Sequence, residues 1–527
     1  MTFTGTHTLL KASMRQDIRN IAPWIMLISV LSASSILAYA WIFPTQEERA
    51  GLSMALGSNP AMSLIFGPAR DLLTADGFNA WRAGMLGAFF AGLMAILIVI
   101  RNSRTQEDSG QAELLASAVL GRGARLAVPL LMAGIASIGL GVVSFLLTWI
   151  SGGGVASTAI LAATFTASGL MFAAVAAVTA QLGSDASTAS SLAVGILGVS
   201  YVLRGYIDTS TLPDWTLWLT PFGWLERTEP AAGNSPWPLL ITLAFTAILI
   251  AFAFRLHSRR DFGQGLIVPL PGPDTGGIVT NVWGLAFRLN RGSIIVWIIA
   301  ITGLGALFGN LISSMGDIVA DNPAISVILA AQGGNVDLSM NFVLTILQII
   351  ALIAAVMGIG IVLRMYTEEI NYRLEPLLAG SLKRSTYLAS NALVAFAGSA
   401  IAMMLAGVAM GMVAHRRDES MAFRDVLLQA VATIPAVWVL VALALVFIGR
   451  APSRSVASWM GVVATFSLTI LGPTFRLPDA IMDISPLRHV PMVAAPVMEW
   501  SGLIGLGVAC IIFLVAAFTG FNRRDIL

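Results

Sequence analysis

Few side chains in this 527-residue sequence are of the types that carry catalysis or bind metal ions. Its only two lysines, Lys11 and Lys383, lack the glycines of the phosphate-binding motif G-x4-G-K-[ST], so we do not expect the chain to bind ATP in a P-loop. Cys510 is the only cysteine, which excludes a disulfide within the chain. The four histidines are scattered through predicted loops: His7, His257, His415 and His489. We therefore predict no metal site, no cofactor and no enzymatic activity.

Two charged segments interrupt the apolar sequence, and in each of them acidic residues precede leucines and a closing arginine. The pattern predicts a short helix with an exposed leucine ridge ringed by charge, which is typical of a contact surface. The alternative is an ordinary solvated loop. The residues assigned to this contact are Glu107, Glu113, Leu114, Leu115 and Arg122 in a helix at about 107–122, and Glu369, Arg373, Glu375, Leu377, Leu378 and Arg384 in a helix at about 369–384.

The two segments belong to a longer repeat, because landmarks recur along the chain at an offset of about 264 residues. The landmarks are Asn-Pro-Ala at 59–61 and 322–324, Leu-Pro-Asp at 212–214 and 477–479, and Arg-Arg-Asp at 259–261 and 523–525. Such recurrence predicts a tandem duplication of one structural unit. We expect the first repeat over residues 1–254, a proline-containing linker over 255–280 and the second repeat over 281–527.

Composition indicates that the repeated unit is a membrane bundle. Hydrophobic residues make up 57% of the chain and charged residues 11%, whereas a soluble domain carries about 25% charge. Apolar runs of about 20 residues recur, each long enough to cross a hydrocarbon core of about 30 Å as a helix. We predict an all-α polytopic membrane protein with twelve transmembrane helices, near 24–43, 83–100, 126–150, 156–181, 187–203, 237–254, 293–313, 340–363, 387–414, 426–449, 456–472 and 500–521.

The distribution of charge between loops predicts the orientation of the chain. With the N-terminus inside, the inner segments carry an excess of Lys and Arg and the outer segments an excess of Asp and Glu, as the positive-inside rule requires. Both termini are then expected in the cytoplasm of a bacterial cell, with the chain crossing the plasma membrane several times. Because six spans is an even number, the two repeats are expected to be parallel, related by an axis along the membrane normal.

Each repeat opens with a basic, amphipathic segment before its first span. Leu10, Met14 and Ile18 recur at helical spacing in the first of these segments. Such a helix lies in the membrane interface, with its apolar side towards lipid and its cations towards headgroups. We predict elbow helices at 3–22 and 281–292 that anchor the bundle; the alternative is a simple orientation signal. Their interface residues are Arg15, Arg19, Arg288 and Arg291.

The outer loops between the fifth and sixth spans are also paired. The first copy is rich in tryptophan, which favours the membrane–water interface. We predict short helices that dip into the outer leaflet and cover the exit of a pathway; the alternative is an aromatic anchor. The residues assigned to this outer gate are Trp218, Pro221, Phe222 and Pro486.

An elbow helix, six spans and a Glu-x5-Glu-Leu-Leu segment between spans two and three resemble the permeases of ABC-2 type exporters. The fused two-repeat form, with Arg-Arg-Asp-Phe-Gly at 259–263 after the sixth span, is similar to actinobacterial polyketide-antibiotic and multidrug (tetronasin-type) exporter permeases. The resemblance covers essentially the whole chain. Pro376 departs from it, since it stands where the first copy has Leu114, and Gly110 is replaced by Tyr372.

This resemblance implies a transport subunit whose short inner helices are coupling helices. They would seat in a separate ATP-binding subunit, expected as a homodimer that holds ATP and Mg²⁺. Hydrophobic or amphipathic compounds such as antibiotics, drugs or lipids would be extruded through a cleft lined by the second and fifth spans of each half. Residues assigned to the path are Phe89, Phe90, Met94, Phe342 and Gln348, for which core or lipid-facing packing is the alternative.

Two other functions remain open at this point. Twelve spans in two parallel repeats is also the plan of proton-coupled secondary transporters, but these need an ionisable residue inside the bundle, and the predicted spans contain none. A polytopic membrane enzyme is disfavoured by the lack of catalytic groups. The expected partners are therefore the lipid bilayer, an ATP-binding subunit and an apolar small molecule, with no nucleic acid.

Overall fold

The computed structural model describes residues 2–57, 60–111, 113, 121–209, 212–260, 264–267, 281–320, 338–417, 422–471, 478–493 and 500–525. Within these ranges all regular secondary structure is helical. The chain divides into two compact units, Met1–Pro271 and Gly272–Leu527, and the division falls inside the segment that the sequence marks as a linker.

The first unit is a bundle of six long helices joined by short ones. They are α1 (Thr6–Ile42), α2 (Gln46–Gly57), α3 (Pro60–Phe66), α4 (Ala75–Arg101), α5 (Arg104–Asp108), α6 (Ala124–Ile150), α7 (Val155–Leu182), α8 (Ala186–Thr209), α9 (Pro221–Glu226) and α10 (Trp237–Arg259). A 3₁₀ turn over Asp214–Leu219 precedes α9.

The second unit repeats this order of elements. Its helices are α11 (Val282–Ala320), α12 (Leu338–Ile370), α13 (Glu375–Leu378), α14 (Arg384–Arg417), α15 (Phe423–Arg450), α16 (Ser458–Phe466), α17 (Asp479–Met482) and α18 (Ser501–Arg523). Short 3₁₀ turns cover Pro452–Ala457 and Pro486–His489, and a π turn covers Ser467–Leu471.

Eleven helices in the described part of the chain are long and apolar enough to cross a membrane. This confirms the predicted class, an all-α polytopic membrane protein. The predicted span at 456–472 is instead a 3₁₀ turn, the nine-residue α16 and a π turn. Nine α-helical residues rise only about 14 Å, so α16 alone does not cross the bilayer. The arrangement of twelve spans therefore stays a prediction.

The second and fourth long helices form the centre of each unit. Small residues allow this close packing: a Cβ at Gly92 of α4 would lie 2.7 Å from the Phe172 ring of α7, and one at Gly358 of α12 would lie 2.5 Å from the Val441 side chain of α15. Close approach through small residues is how membrane helices gain packing energy without a hydrophobic driving force between them. The outer helices of each unit pack around these pairs.

The predicted elbow segments are continuous with the first long helix of each unit. The 37-residue α1 is about 55 Å long at 1.5 Å per residue, which exceeds the hydrocarbon core by roughly 25 Å. Pro23, where a kink is expected, separates the basic segment from the apolar part. The in-plane position of these segments stays a prediction.

Short helices follow Leu-Pro-Asp in both units, as the sequence predicts. In the first unit, Thr220 caps α9 by accepting a hydrogen bond from the Gly223 N–H at 3.0 Å, and Pro221 occupies the first turn. In the second unit, Pro486 likewise begins the 3₁₀ turn that ends at His489.

Candidate functional site

An ion-pair cluster joins three segments at the end of the first unit where α10 terminates. Glu107 on α5 accepts hydrogen bonds from both sides: its two carboxylate oxygens lie 2.5 and 2.7 Å from Nη2 of Arg260, and Oε2 lies 2.7 Å from Nη1 of Arg104. Arg122, just before α6, donates to the carbonyl oxygen of Arg260 at 2.8 Å. Arg260 also donates to the Ala180 carbonyl near the end of α7. We call Glu107, Arg122 and Arg260 the first clamp.

The second unit contains the same cluster. Glu369, in the last turn of α12, receives two hydrogen bonds of 2.5 Å from the guanidinium of Arg524, which directly follows α18. Arg384, at the start of α14, donates to the Arg524 carbonyl oxygen at 2.8 Å. We call Glu369, Arg384 and Arg524 the second clamp.

The two clamps are equivalent by sequence as well as by geometry, because their members differ by 262 to 264 positions. The carboxylates are buried, with 11% of the Glu107 side chain and 2% of the Glu369 side chain exposed. Bidentate arginine–carboxylate bonds are short and directional. Removing one partner of a buried pair costs about 3–5 kcal/mol, because the other charge is left uncompensated. Each clamp therefore fixes the charged segment after the second long helix to the ends of the third and sixth.

The clamps give four of the predicted contact residues partners inside the protein. Glu107, Glu369, Arg122 and Arg384 all take part in them, so their side chains position the segment. Outward-facing residues of the assigned set are Glu113, Arg373, Glu375 and Leu377, and Leu378 is half-buried. Leu114 and Leu115 lie outside the described residues. The docking role of the whole set stays a prediction.

The surface around α13 has the composition that the sequence predicts for a contact. Ile370, Tyr372 and Leu377 are exposed by 52%, 67% and 37%, and charged side chains stand beside them. Leu374 is buried and anchors the short helix to the bundle. Exposed apolar side chains ringed by charge are suited to docking another protein. We call Ile370, Tyr372, Arg373, Glu375 and Leu377 the α13 surface.

The chain reverses direction at the same place in both units. Gly110 has φ of +74° and its equivalent Tyr372 has φ of +56°, both in the left-handed region. The N–H of each donates to the carbonyl of the clamp glutamate, Gly110 to Glu107 at 3.1 Å and Tyr372 to Glu369 at 3.0 Å. The turn is therefore common to both repeats, although only the first supplies the glycine that tolerates it without strain.

The described residues of the predicted substrate path differ in burial and in their contacts. Phe89 and Phe90 are half-buried, and Phe89 packs edge-on against Tyr201 with ring centroids 5.0 Å apart. Gln348 donates to the Leu487 carbonyl at 3.3 Å. The Phe342 side chain lies outside the described residues. Met94 is fully buried in the core of its own unit, and the assignment of these residues to a path stays a prediction.

The remaining predicted residues lie at opposite ends of the bundles. Arg15, Arg19, Arg288 and Arg291 are exposed along the first turns of α1 and α11, as residues facing headgroups would be. At the other end, Trp218 stacks on Trp237, Phe222 is fully buried, and Pro221 and Pro486 are half-buried. Their roles as elbow and outer gate stay predictions.

Sequence reasoning missed a buried charged cluster beside α9. The predicted fifth span ended at 203, but α8 continues to Thr209 and buries Arg204 completely. Arg204 lies 3.0 Å from the Asp208 carboxylate and 3.7 Å from that of Glu226, and Arg70 lies 3.3 Å from Glu226. The expectation of no ionisable residue inside the bundle is therefore wrong at this end. Arg204 and Asp208 stand four residues apart, the spacing of an ion pair on one helix face, which was the available signal.

Burial raises the pKa of Glu226 to about 8, and the neighbouring Asp208 charge acts in the same direction, against the guanidinium groups of Arg204 and Arg70. Glu226 lies on the short helix α9, outside the eleven long helices. In the described part of the chain, no group of His, Cys, Asp and Glu side chains is arranged to hold a metal ion.

Comparison with known proteins gives two matches over nearly the whole chain. A family described as "Multidrug efflux system permease Rv1217c, C-terminal domain" matches residues 48–256 and 279–522. The chain is also 34% identical over 531 residues to the multidrug efflux system permease protein Rv1217c of Mycobacterium tuberculosis (strain ATCC 25618 / H37Rv). This alignment covers 99% of the chain and 96% of that protein.

Proposed function

The chain belongs to the family of the multidrug efflux system permease Rv1217c, and from this premise we propose that it is the membrane-spanning subunit of an ATP-driven exporter. In this proposal a separate ATP-binding subunit, present as a homodimer, supplies ATP and Mg²⁺. The cargo is hydrophobic or amphipathic compounds, in keeping with the name of the relative. Both termini and both clamps lie in the cytoplasm of a bacterial cell.

The observation that carries the proposal is the clamp built twice. Each clamp connects an outward-facing charged segment to the ends of the third and sixth long helices of its unit. A load applied to such a segment reaches the helices directly, because short, charge-assisted hydrogen bonds hold the arginine against the carboxylate in each clamp. The duplicated clamp is therefore suited to two equivalent loads, one for each subunit of an ATPase dimer.

The mechanism follows from these connections. The ATPase dimer docks on the segment at 107–122 in one unit and on the α13 surface in the other. ATP binding closes the dimer and pushes the two segments together. The clamps pass this movement to the third and sixth helices, and the two halves rock against each other to release cargo on the outer side. The P-loop that the sequence of this chain lacks is supplied by the partner.

Charge reversal on the docking segments tests the proposal. Glu113 and Glu375 are exposed and take no part in the clamps. We expect Glu113→Lys combined with Glu375→Lys to abolish drug export and drug-stimulated ATPase activity of the complex while the protein still inserts. Glu47→Lys is the matched control, because Glu47 is an exposed carboxylate near the opposite end of α1, and it should leave export unchanged. Normal export by the double variant would contradict the docking role.

A second candidate function is proton-coupled drug export without a partner protein. The buried carboxylate of Glu226, whose pKa is raised to about 8, favours it, because a proton carrier needs such a group. The full chain reconstituted alone in vesicles, under a proton gradient, decides between the two. If the chain alone takes up drug and Glu226→Gln abolishes this uptake, proton-coupled export is supported and ATP-driven export is excluded. If transport requires the ATP-binding subunit, ATP-driven export is supported and proton-coupled export is excluded.

A further inference from the structure

The second unit contains a cavity of about 840 Å³ near the end of the bundle where α18 begins. It lies between α15, α16, α18 and the outer segment that includes Pro486. Its walls are mostly apolar, with Leu440, Leu443 and Phe513 among them, and its polar residues include Asp483 and His489. A volume of about 300–1,000 Å³ with apolar walls and a few polar groups is that of a site for a drug-sized molecule.

In the first unit, four aromatic rings stand at the equivalent positions and pack in two pairs. The indole of Trp224 packs edge-on against Phe245 with centroids 5.2 Å apart. Trp218 stacks on Trp237 with centroids 4.8 Å apart and an interplanar angle of 25°. These two pairs connect the outer segment of the first unit to α10.

The four rings are replaced by small or polar residues in the second unit. The helices α10 and α18 are both 23 residues long and begin 264 positions apart. Ser501 is therefore at the position equivalent to Trp237, and Ala509 is at the position equivalent to Phe245. In the outer segments, which are offset by 265 positions, Asp483 stands for Trp218 and His489 for Trp224. All four replacements line the cavity: Asp483, His489, Ser501 and Ala509.

The two outer segments share one hydrogen bond, although Pro221–Glu226 is α-helical and Pro486–His489 is a 3₁₀ turn. In the first unit, the Trp224 indole N–H donates to the Trp218 carbonyl oxygen at 2.7 Å. In the second unit, Nε2 of His489 lies 2.8 Å from the Asp483 carbonyl oxygen, the equivalent bond. The cavity therefore lies where four rings of the first unit are replaced, and its wall at α16, a nine-residue helix followed by a π turn, also differs from the regular helix α8.

The mouth of the cavity carries an excess of negative charge. The Arg488 guanidinium lies 2.6 Å from the carboxylate of Asp479 and 3.0 Å from that of Asp483. One cation thus serves two carboxylates, and the Asp483 side chain is 52% exposed. A positive group of a ligand placed there would be attracted by the remaining charge.

We propose that this cavity binds an aromatic amphipathic cation, whose rings occupy the space filled by Trp218, Trp224, Trp237 and Phe245 in the first unit and whose charge lies beside Asp483. The inference rests on the proposed export function and deepens it by naming a binding site and a class of cargo. Binding itself requires neither ATP nor a partner subunit. All the residues that line the site belong to the second unit.

The first test restores two of the missing rings. The full-length protein in lipid nanodiscs, without nucleotide, is titrated with rhodamine 6G and followed by fluorescence anisotropy. We expect His489→Trp combined with Ala509→Phe to weaken binding at least tenfold, because the new pair occupies the cavity as Trp224 and Phe245 do. Val508→Phe is the matched control: it adds a ring to the exposed face of the same helix and should leave affinity unchanged. Unchanged affinity in the filled variant would overturn the proposal.

The second test needs no buried substitution, so it holds even if the filled variant does not fold. Asp483→Asn should weaken rhodamine 6G binding several-fold and leave binding of Nile red, an uncharged aromatic probe, unchanged. Equal loss for both probes, or no loss for either, would overturn the assigned charge contact. A phosphatidylcholine with a pyrene-labelled chain tests for lipid: if filling the cavity releases this lipid but not rhodamine 6G, the occupant is an acyl chain and the proposal is wrong.

These outcomes separate the inference from the function on which it rests. If rhodamine 6G does not bind the permease but ATP-dependent export persists, only the cavity proposal is lost. If the dye binds as expected but export does not require the ATP-binding subunit, only the proposed energy source is lost.

Discussion

The sixth helices of the two units are alike at one end and different at the other. Where α10 and α18 end, both units hold the same arginine–glutamate clamp. Where these helices begin, the first unit packs four aromatic rings and the second leaves a cavity of about 840 Å³. After a duplication, similarity is kept where both copies have the same task. Under the proposed function, the clamped ends share the mechanical task and the opposite ends have separate tasks.

The clamps themselves allow the strongest test of their equivalence. Glu107 is bonded to two arginines, Arg104 and Arg260, whereas Glu369 is bonded to Arg524 and has Tyr366 where the first unit has Arg104. We expect Glu369→Gln to lower the free energy of unfolding by about 3 kcal/mol, and Glu107→Gln to lower it further because two arginines, Arg104 and Arg260, lose their ion pair with this carboxylate. Thermal unfolding of the purified variants, monitored by circular dichroism, measures which substitution destabilises the protein more.

Charge exchange provides the control for this prediction. Glu369→Arg combined with Arg524→Glu keeps an ion pair at the same place. This double variant should recover part of the stability that Glu369→Gln loses. If the loss came only from a changed side-chain shape, the exchange would recover none of it. If Glu369→Gln costs as much as Glu107→Gln, the two clamps carry equal loads despite their different numbers of arginines, and the proposed difference is wrong.

Much of the fold could be predicted from the sequence, because apolar length and repeated landmarks are local signals. The clamps were harder to predict, since Glu107 and Arg260 are 153 residues apart and meet only when the bundle closes. Their signal was present, however: acidic and Arg-Arg landmarks recur together at nearly one offset.

Other features lay beyond the reach of composition. The apolar run at 456–472 gives no sign of the π turn at Ser467–Leu471, because hydropathy does not report the hydrogen-bond pattern of the backbone. The burial of Arg204 was missed because an arginine near the end of an apolar run looks like a solvent-exposed boundary. The cavity depends on which side chains from α18 and the outer segment face each other, which becomes visible only when the two units are compared in three dimensions.

The outer ends of the units should also respond differently to pH. Glu226 keeps its proton up to about pH 8 in the folded protein, against an ordinary value of 4.5, while its equivalent in the second unit is Pro491. A raised carboxyl pKa contributes stability that is fully present below pH 4.5 and is lost as pH rises through about 8. We expect the unfolding temperature to fall between pH 5.5 and 8.5, and Glu226→Gln to reduce this fall. Glu375→Gln, which neutralises an exposed carboxylate, should leave this fall unchanged. If the unfolding temperature of Glu226→Gln falls with pH as steeply as that of the unchanged protein, Glu226 is not the cause of the pH dependence.

The smallest expected effect concerns the shared turn after the clamp glutamates. Tyr372 adopts the left-handed conformation that Gly110 adopts in the first unit, and a residue with a Cβ pays about 1–2 kcal/mol for it. We expect Tyr372→Gly to stabilise the protein by about 1 kcal/mol, since glycine removes the strain but adds freedom to the unfolded chain. Gly110→Ala should destabilise it by a similar amount through the backbone, because no atom of the described residues lies within 4 Å of the added Cβ. Tyr372→Ala separates the contribution of backbone strain from that of the ring, because it keeps the strain and removes the ring.

Export by the same variants shows whether the ring has a role in docking. If Tyr372→Gly is more stable yet exports less, the strain is retained because the exposed ring is needed on the α13 surface. If Tyr372→Gly exports normally, the ring is not part of the docking contact.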